Sequence, residues 1–162
     1  MRNVVILYLL QLGLLMNRGQ AQIQVIYFLS PTCKICQFYA LEMRDVYDDY
    51  GPQQVNFMAY VPGALVTDST LNEFQHNYQL PFPVVKDDFL HRQMNATVTP
   101  EVFVINRDEL VYHGRIDDSF VRVGKRRTHV KNRELRITLD TLLAGRSPDV
   151  HYAPPVGCII EK

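Results

Sequence analysis

The sequence predicts one α/β domain with a mixed central β-sheet, flanking helices and a helical insertion, and three features carry that reading. Residues 25–29 and 55–61 are short apolar runs rich in β-branched and aromatic side chains, as in strands buried on both faces. Between them Ile35, Tyr39, Met43, Val46 and Tyr50 recur at helical spacing. Residues 101–106 and 110–115 flank Arg107-Asp108-Glu109, the pattern of an antiparallel hairpin. A chain of 162 residues has room for one such domain but not for a two-domain nucleotide enzyme. At 47% hydrophobic and 21% charged it is globular rather than disordered. Its 17 basic and 17 acidic residues cancel, which removes the electrostatic footprint that general nucleic-acid binding needs.

Taken in order, residues 1–21 read as a secretory signal: Arg2, an apolar run from Val4 to Met16, and a small-x-small Gly19-Gln20-Ala21 suited to cleavage after Ala21. The run is short for a bilayer core of ~30 Å, so no stable membrane insertion is expected once it is removed; a retained anchor or a buried strand is the alternative. The domain then occupies residues 22–145 and a tail residues 146–162. After the first strand, Ser30-Pro31-Thr32 leads into a helix opened by the cysteines and closed at Gly51-Pro52. A second strand follows. Leu71, Phe74 and Tyr78 mark the inserted helix, capped by Asp68 or Thr70 and stopped by Pro81 and Pro83. Val84-Val85 is a short strand, residues 87–94 a helical turn, and Thr99-Pro100 precedes the hairpin. From Asn132, residues Leu135, Leu139, Leu142 and Leu143 give a last amphipathic helix closed by Gly145. The tail holds Pro148, Pro154 and Pro155 and little periodicity.

Cys33-Lys34-Ile35-Cys36 carries most of the chemistry. Residues three apart on a helix share a face, with Cβ atoms about 5–6 Å apart, so the two sulfurs can join and separate. At a helix start the free N–H groups and the dipole favour a thiolate on the first cysteine. Cys33 is thus the expected nucleophile and Cys36 the thiol that resolves the mixed disulfide, with Lys34 adding positive charge. Two other uses stay open: a zinc or copper site built from Cys33, Cys36, Cys158 and a histidine, and an inert disulfide, whose small loop would remove little chain entropy. His113 falls on a hairpin strand as a partly exposed residue or a ligand. His76, His91, His129 and His151 read as surface residues. The basic run Arg122, Lys125, Arg126, Arg127, Lys131, Arg133 and Arg136 reads as a solvated loop leading into the last helix, partly neutralised by Asp117 and Asp118, or as a dock for an acidic partner.

Four segments together resemble the thioredoxin-like superfamily, in particular exported bacterial redoxin-domain proteins with similarity to both the thiol-oxidoreductase and peroxiredoxin branches. They are Phe28-Leu29-Ser30-Pro31-Thr32-Cys33-Lys34-Ile35-Cys36, Leu80-Pro81-Phe82-Pro83-Val84-Val85, Thr99-Pro100-Glu101-Val102-Phe103-Val104-Ile105 and Tyr112-His113-Gly114-Arg115-Ile116-Asp117-Asp118. The likeness spans residues 23–145. It implies a cis Thr99-Pro100 bond facing the cysteines and helping to hold an incoming peptide. Here no Trp precedes Cys33, and Ile35 replaces the common Pro, which leaves the redox potential open. Ser30 stands where a peroxiredoxin has Thr, which weakens a peroxidase reading. Copper-delivery relatives have a wider cysteine spacing and a distal histidine.

Cys158, in Pro154-Pro155-Val156-Gly157-Cys158, is either a free or adventitiously paired thiol or, as similar Gly-Cys tails imply, a second resolving thiol or metal ligand that folds back toward Cys33. The expected function is extracytoplasmic thiol–disulfide exchange, in the periplasm or otherwise exported. Cys33 and Cys36 react with protein dithiols and disulfides, Thr99 and Pro100 shape the substrate groove, and a redox partner protein completes the cycle. No organic cofactor, metal or nucleic acid is called for. The alternatives are a peroxiredoxin-type peroxidase with an antioxidant role and a Cu(I)- or Zn-binding metallochaperone-like protein of the same fold.

Overall fold

The computed structural model describes residues 23–63 and 65–161, so the candidate signal at 1–21 lies outside the described residues. The central strand β1 (Ile23–Phe28) pairs in parallel with β2 (Val55–Pro62), which pairs in parallel with β3 (Val84–Asp87). On its other side β1 pairs antiparallel with β5 (Glu101–Asn106), the first strand of a hairpin with β6 (Glu109–Gly114). The order β3-β2-β1-β5-β6 is completed by a strand from the tail, β9 (Tyr152–Ala153), parallel to β6. β5 alone runs against the other five, so the sheet is mixed as the sequence predicts.

The period-2 pleat sends Ile23, Val25 and Tyr27 of β1, Val55, Phe57, Ala59 and Val61 of β2, and Val102 and Val104 of β5 into the main core. Helix α1 (Lys34–Tyr50) lays Ile35, Tyr39, Met43, Val46 and Tyr50 into that core, each at the spacing the sequence sets out. Helix α4 (Glu134–Leu143) adds Leu135 and Leu139, both without exposed surface. The opposite face carries an aromatic row that crosses five neighbouring strands: Tyr60, Phe28, Phe103, His113 and Tyr152, with successive ring centroids 6.1, 5.5, 5.3 and 4.7 Å apart. Cross-strand ring pairs of this kind lock register as well as burying area.

Several expectations are corrected. The inserted helix α2 (Asp68–Tyr78) is capped by Thr67, whose Oγ1 accepts the Thr70 N–H at 3.2 Å, rather than by Asp68 or Thr70. The hairpin turn is two residues, not three: Arg107 and Asp108 both take positive φ, 50° and 69°, and Glu109 already pairs with Asn106. In the turn expected at 87–94, helix α3 (Leu90–Gln93) is capped by the Asp87 carboxylate, which accepts the Phe89, Leu90 and His91 amides. His91 is therefore not a surface residue but buried, its Nδ1 2.7 Å from Asp87. The basic run is largely structured. Phe120–Arg122 (β7) and Lys125–Arg126 (β8) form a small ribbon, Arg127 pairs with Asp118 at 3.2 Å, and Arg136 ties α4 to α1 through Glu42 at 2.7 Å and Asp49 at 2.5 Å.

The tail also departs from a loosely patterned segment. Besides β9 it supplies β10 (Cys158–Ile159), which pairs antiparallel with the short β4 (Val98–Thr99). Gly114 makes the first of these junctions possible. Its φ is +133°, and a Cβ there would collide with the Ala153 carbonyl oxygen. Gly114→Ala is therefore expected to cost about 1–3 kcal/mol in urea unfolding, clearly more than Gly124→Ala, whose added Cβ meets open space. Equal costs would show that the β6–β9 junction holds nothing.

Candidate functional site

The site forms where the C-terminal end of β1 meets the N-terminus of α1. Past Phe28 the chain turns through Ser30-Pro31-Thr32, with the Cys33 N–H donating to the Ser30 carbonyl at 3.1 Å. Pro31 supplies the fixed φ that the second position of such a turn favours. Cys33 is the N-cap of α1, in extended conformation, and its carbonyl accepts the Gln37 N–H at 3.1 Å. Cys36 follows on the first turn and points inward. It has no exposed surface, and its sulfur accepts the Ser30 N–H at 3.4 Å.

The antiparallel register of β1 and β5 sets Phe28 opposite Glu101, which delivers the two residues before Glu101 to the same place. These are Thr99 and Pro100, joined by a cis peptide bond. The Thr99 carbonyl lies 3.1 Å from the Cys33 sulfur and accepts a hydrogen bond from its thiol form. A third thiol completes the group. In β10, Cys158 stands opposite Thr99, and its Sγ is 2.6 Å from the Cys33 Sγ. Cys33, Cys36, Thr99, Pro100 and Cys158, far apart in the chain, thus converge, while His113 sits in the aromatic row, stacked on Phe103.

The three thiols differ in acidity. A hydrogen bond from the Cys36 side chain, then one from the Cys158 side chain, then the backbone amides of the same two residues, bring the Cys33 thiol down to about 4 against the opposing effect of burial. Burial first, and then the hydrogen bond and negative charge of Cys33, push Cys36 well above the ordinary thiol range. Burial and the same two influences push Cys158 up to about 11. The Lys34 Nζ donates to Gln37 Oε1 at 3.1 Å. At neutral pH the group is one thiolate solvated by two protonated thiols, an arrangement able to attack a disulfide and to resolve the product.

Sequence reasoning marks Cys33 and Cys36 but misses the strand that seats Cys158. The available signal was the apolar Val156-Gly157-Cys158-Ile159-Ile160, short enough to pass as loop. Among the described residues, no group of three or more His, Cys, Asp or Glu side chains could hold a metal ion. No helix of the described residues is long and apolar enough to cross a membrane.

A solved structure of an uncharacterised conserved protein from Geobacillus kaustophilus is similar to this chain at 25% identity and a TM-score of 0.76, covering 91% of this chain and 81% of that one. A hypothetical protein from Sinorhizobium meliloti is similar at 26% identity and a TM-score of 0.76, covering 87% and 80%. A thioredoxin-like protein from Aeropyrum pernix shares the fold at 16% identity and a TM-score of 0.53, covering 60% and 71%. No curated protein matches the sequence. The AhpC/TSA family matches residues 14–113, more than half of the chain and a span that includes Cys33 and Cys36, and the protein belongs to that family, with a thioredoxin-like redoxin domain.

Proposed function

We propose that the protein is an extracytoplasmic thiol–disulfide oxidoreductase that exchanges electrons with protein dithiols and disulfides through Cys33 and Cys36. The observation that carries this reading is the placement of two thiols one helical turn apart at the start of α1, Cys33 at the N-cap and Cys36 without exposed surface, with their acidities pushed in opposite directions. The Cys33 thiolate attacks one sulfur of a client disulfide, and the client's other sulfur leaves and takes a proton. Cys36 then loses its proton, attacks the Cys33 sulfur and releases the client as its second thiol. The products are a client dithiol and a Cys33–Cys36 disulfide, and the reverse sequence oxidises a client. Cys36 is held protonated at rest partly by the Cys33 charge. That charge vanishes in the mixed disulfide, so the resolving thiol becomes easier to ionise when it is needed. Stabilising the Cys33 thiolate stabilises the reduced form, which favours the oxidising direction.

Thr99 and Pro100 line the place a client strand occupies beside Cys33, and a redox partner protein restores the starting state. The signal-like residues 1–21 support an exported, periplasmic setting. The exchange uses no organic cofactor and no metal. The 2.6 Å contact of Cys158 with Cys33 favours a second reading, peroxide reduction. There the Cys33 thiolate attacks one peroxide oxygen, the O–O bond breaks and the other oxygen leaves as hydroxide that takes a proton to become water; Cys158 then condenses with the Cys33 sulfenic acid to a disulfide and a second water.

Variants separate the two. For exchange, Cys33→Ser reduces turnover of a disulfide-bonded protein to the uncatalysed level, and Cys36→Ser stalls as a mixed disulfide visible by mass spectrometry. Full peroxide turnover by Cys36→Ser, lost in Cys158→Ser, assigns the peroxidase instead.

A pH titration checks the electrostatics. In the reduced protein the thiolate ultraviolet absorbance persists as pH falls and is lost near pH 4. Cys36→Ala raises that midpoint more than Cys158→Ala does, because Cys36 makes the stronger contribution. Since the folded value lies below the unfolded one, the Cys33 contribution to reduced-state stability is complete above the unfolded thiol value of about 8.5 and is lost as pH falls toward 4. A midpoint near 8 would contradict this account of the Cys33 electrostatics.

A further inference from the structure

The Cys33 sulfur is covered, with 1% of the residue exposed, although exchange requires a client sulfur to reach it. The cover is the chain's own C-terminus. β4 pairs with no strand but β10 among the described residues. In that ladder Cys158 faces Thr99, Ile159 faces Val98, and the Ile160 N–H donates to the Thr97 carbonyl at 3.0 Å. An edge strand of this kind is a template for an added strand, with main-chain bonds giving affinity and alternate side-chain positions giving selectivity. Two details fix the register of what is added. Val156 lines a small hollow together with Pro100, Tyr39 and Phe120, and Gly157 lies so close to the Thr99 carbonyl that a Cβ there would collide with it.

We propose that β10 is an internal client, filling the strand-pairing edge beside Cys33 and presenting Cys158 where an external client presents its cysteine, so that clients are extended Gly-Cys strands that must displace it. This rests on the exchange reading above. The edge holds one strand, so a client peptide and β10 exclude each other, and Cys36 rather than Cys158 resolves the client. The internal covalent step balances. In a Cys33–Cys158 disulfide formed at the expense of a small disulfide such as oxidised glutathione, which leaves as two thiols without occupying the strand edge, Cys36 attacks the Cys33 sulfur, the bond passes to Cys33–Cys36, and Cys158 leaves and takes up the Cys36 proton.

The strap is built to lift. It has two ladder positions, Ile159 is 83% exposed, and Pro154 and Pro155, which carry no N–H, separate it from the anchor that β9 makes with β6. Release therefore needs movement only beyond Ala153.

The experiment reacts the reduced chain with oxidised glutathione and with disulfide-linked peptides of sequence Pro-Val-Gly-Cys-Ile-Ile-Glu, or the same with Val in place of Gly. Adducts on Cys33 are timed by mass spectrometry. Gly157→Val expels the strap and should speed reaction with the Gly-Cys peptide about tenfold or more, as removing a competing closed state does. The unaltered chain should prefer the Gly-Cys peptide to the Val-Cys peptide by about tenfold, a difference of ~1.4 kcal/mol. A measurement independent of that variant's folding is alkylation of Cys158, which should accelerate once the Gly-Cys peptide is attached to Cys33. Equal rates for both peptides, or Cys158 alkylated at the same rate with and without bound peptide, overturn the proposal. Failure of glutathione to oxidise Cys33 overturns the exchange reading itself and is distinguished from these by not involving the strand edge.

Discussion

An anion sealed from water must be solvated by the protein that seals it, and the Cys33 thiolate is the group on which that requirement falls here. Burial alone would raise its pKa. The opposite result arises because Cys36 donates from the same helix, Cys158 from the C-terminal strand, and two backbone amides add to both. Each donor is itself made less acidic by the charge it supports. The site is thus one shared negative charge with a fixed owner, and the owner is the residue at the helix N-cap.

The sheet exists, for this purpose, to bring those donors together. Because β5 runs antiparallel to β1, the residues that precede β5 arrive beside the residues that follow β1, and Thr99-Pro100 meets Cys33 without any long-range loop. The aromatic row from Tyr60 to Tyr152 extends the same alignment to the tail. Tyr152 and Ala153 on β6 bring the chain back toward the site, and five residues later Cys158 lies on Thr99. Gly114 and Gly157 mark the two points where this return path presses backbone against backbone.

How far the sequence discloses this depends on the range of the forces involved. The α1 face from Ile35 to Tyr50, the continuous apolar runs of β1 and β2, and the Cys33/Cys36 spacing are local patterns, and they are legible because helix and strand periods repeat within a few residues. The Thr67 cap lay one residue outside the positions considered, within the ordinary uncertainty of helix ends. His91 looked like a surface residue because its burial depends on Asp87, whose carboxylate caps the same turn. The Arg127–Asp118 pair follows the local neutralisation that the sequence suggests, whereas Arg136 read as solvated because its partner Glu42 is set by tertiary packing. The tail was least legible. Strands of two residues leave no periodicity, and nothing local in the sequence shows that Gly157 leaves room for the Thr99 carbonyl.

The central claim is that the sulfurs of Cys33 and Cys36 cycle between joined and separate forms. The most direct measurement equilibrates the full chain in a graded series of thiol–disulfide buffers, quenches it with acid, and maps every cysteine pairing by mass spectrometry. The account predicts a Cys33–Cys36 disulfide that forms and disappears reversibly across the series. A chain that holds both thiols free in the most oxidising buffer, or never releases the bond in the most reducing one, would contradict it.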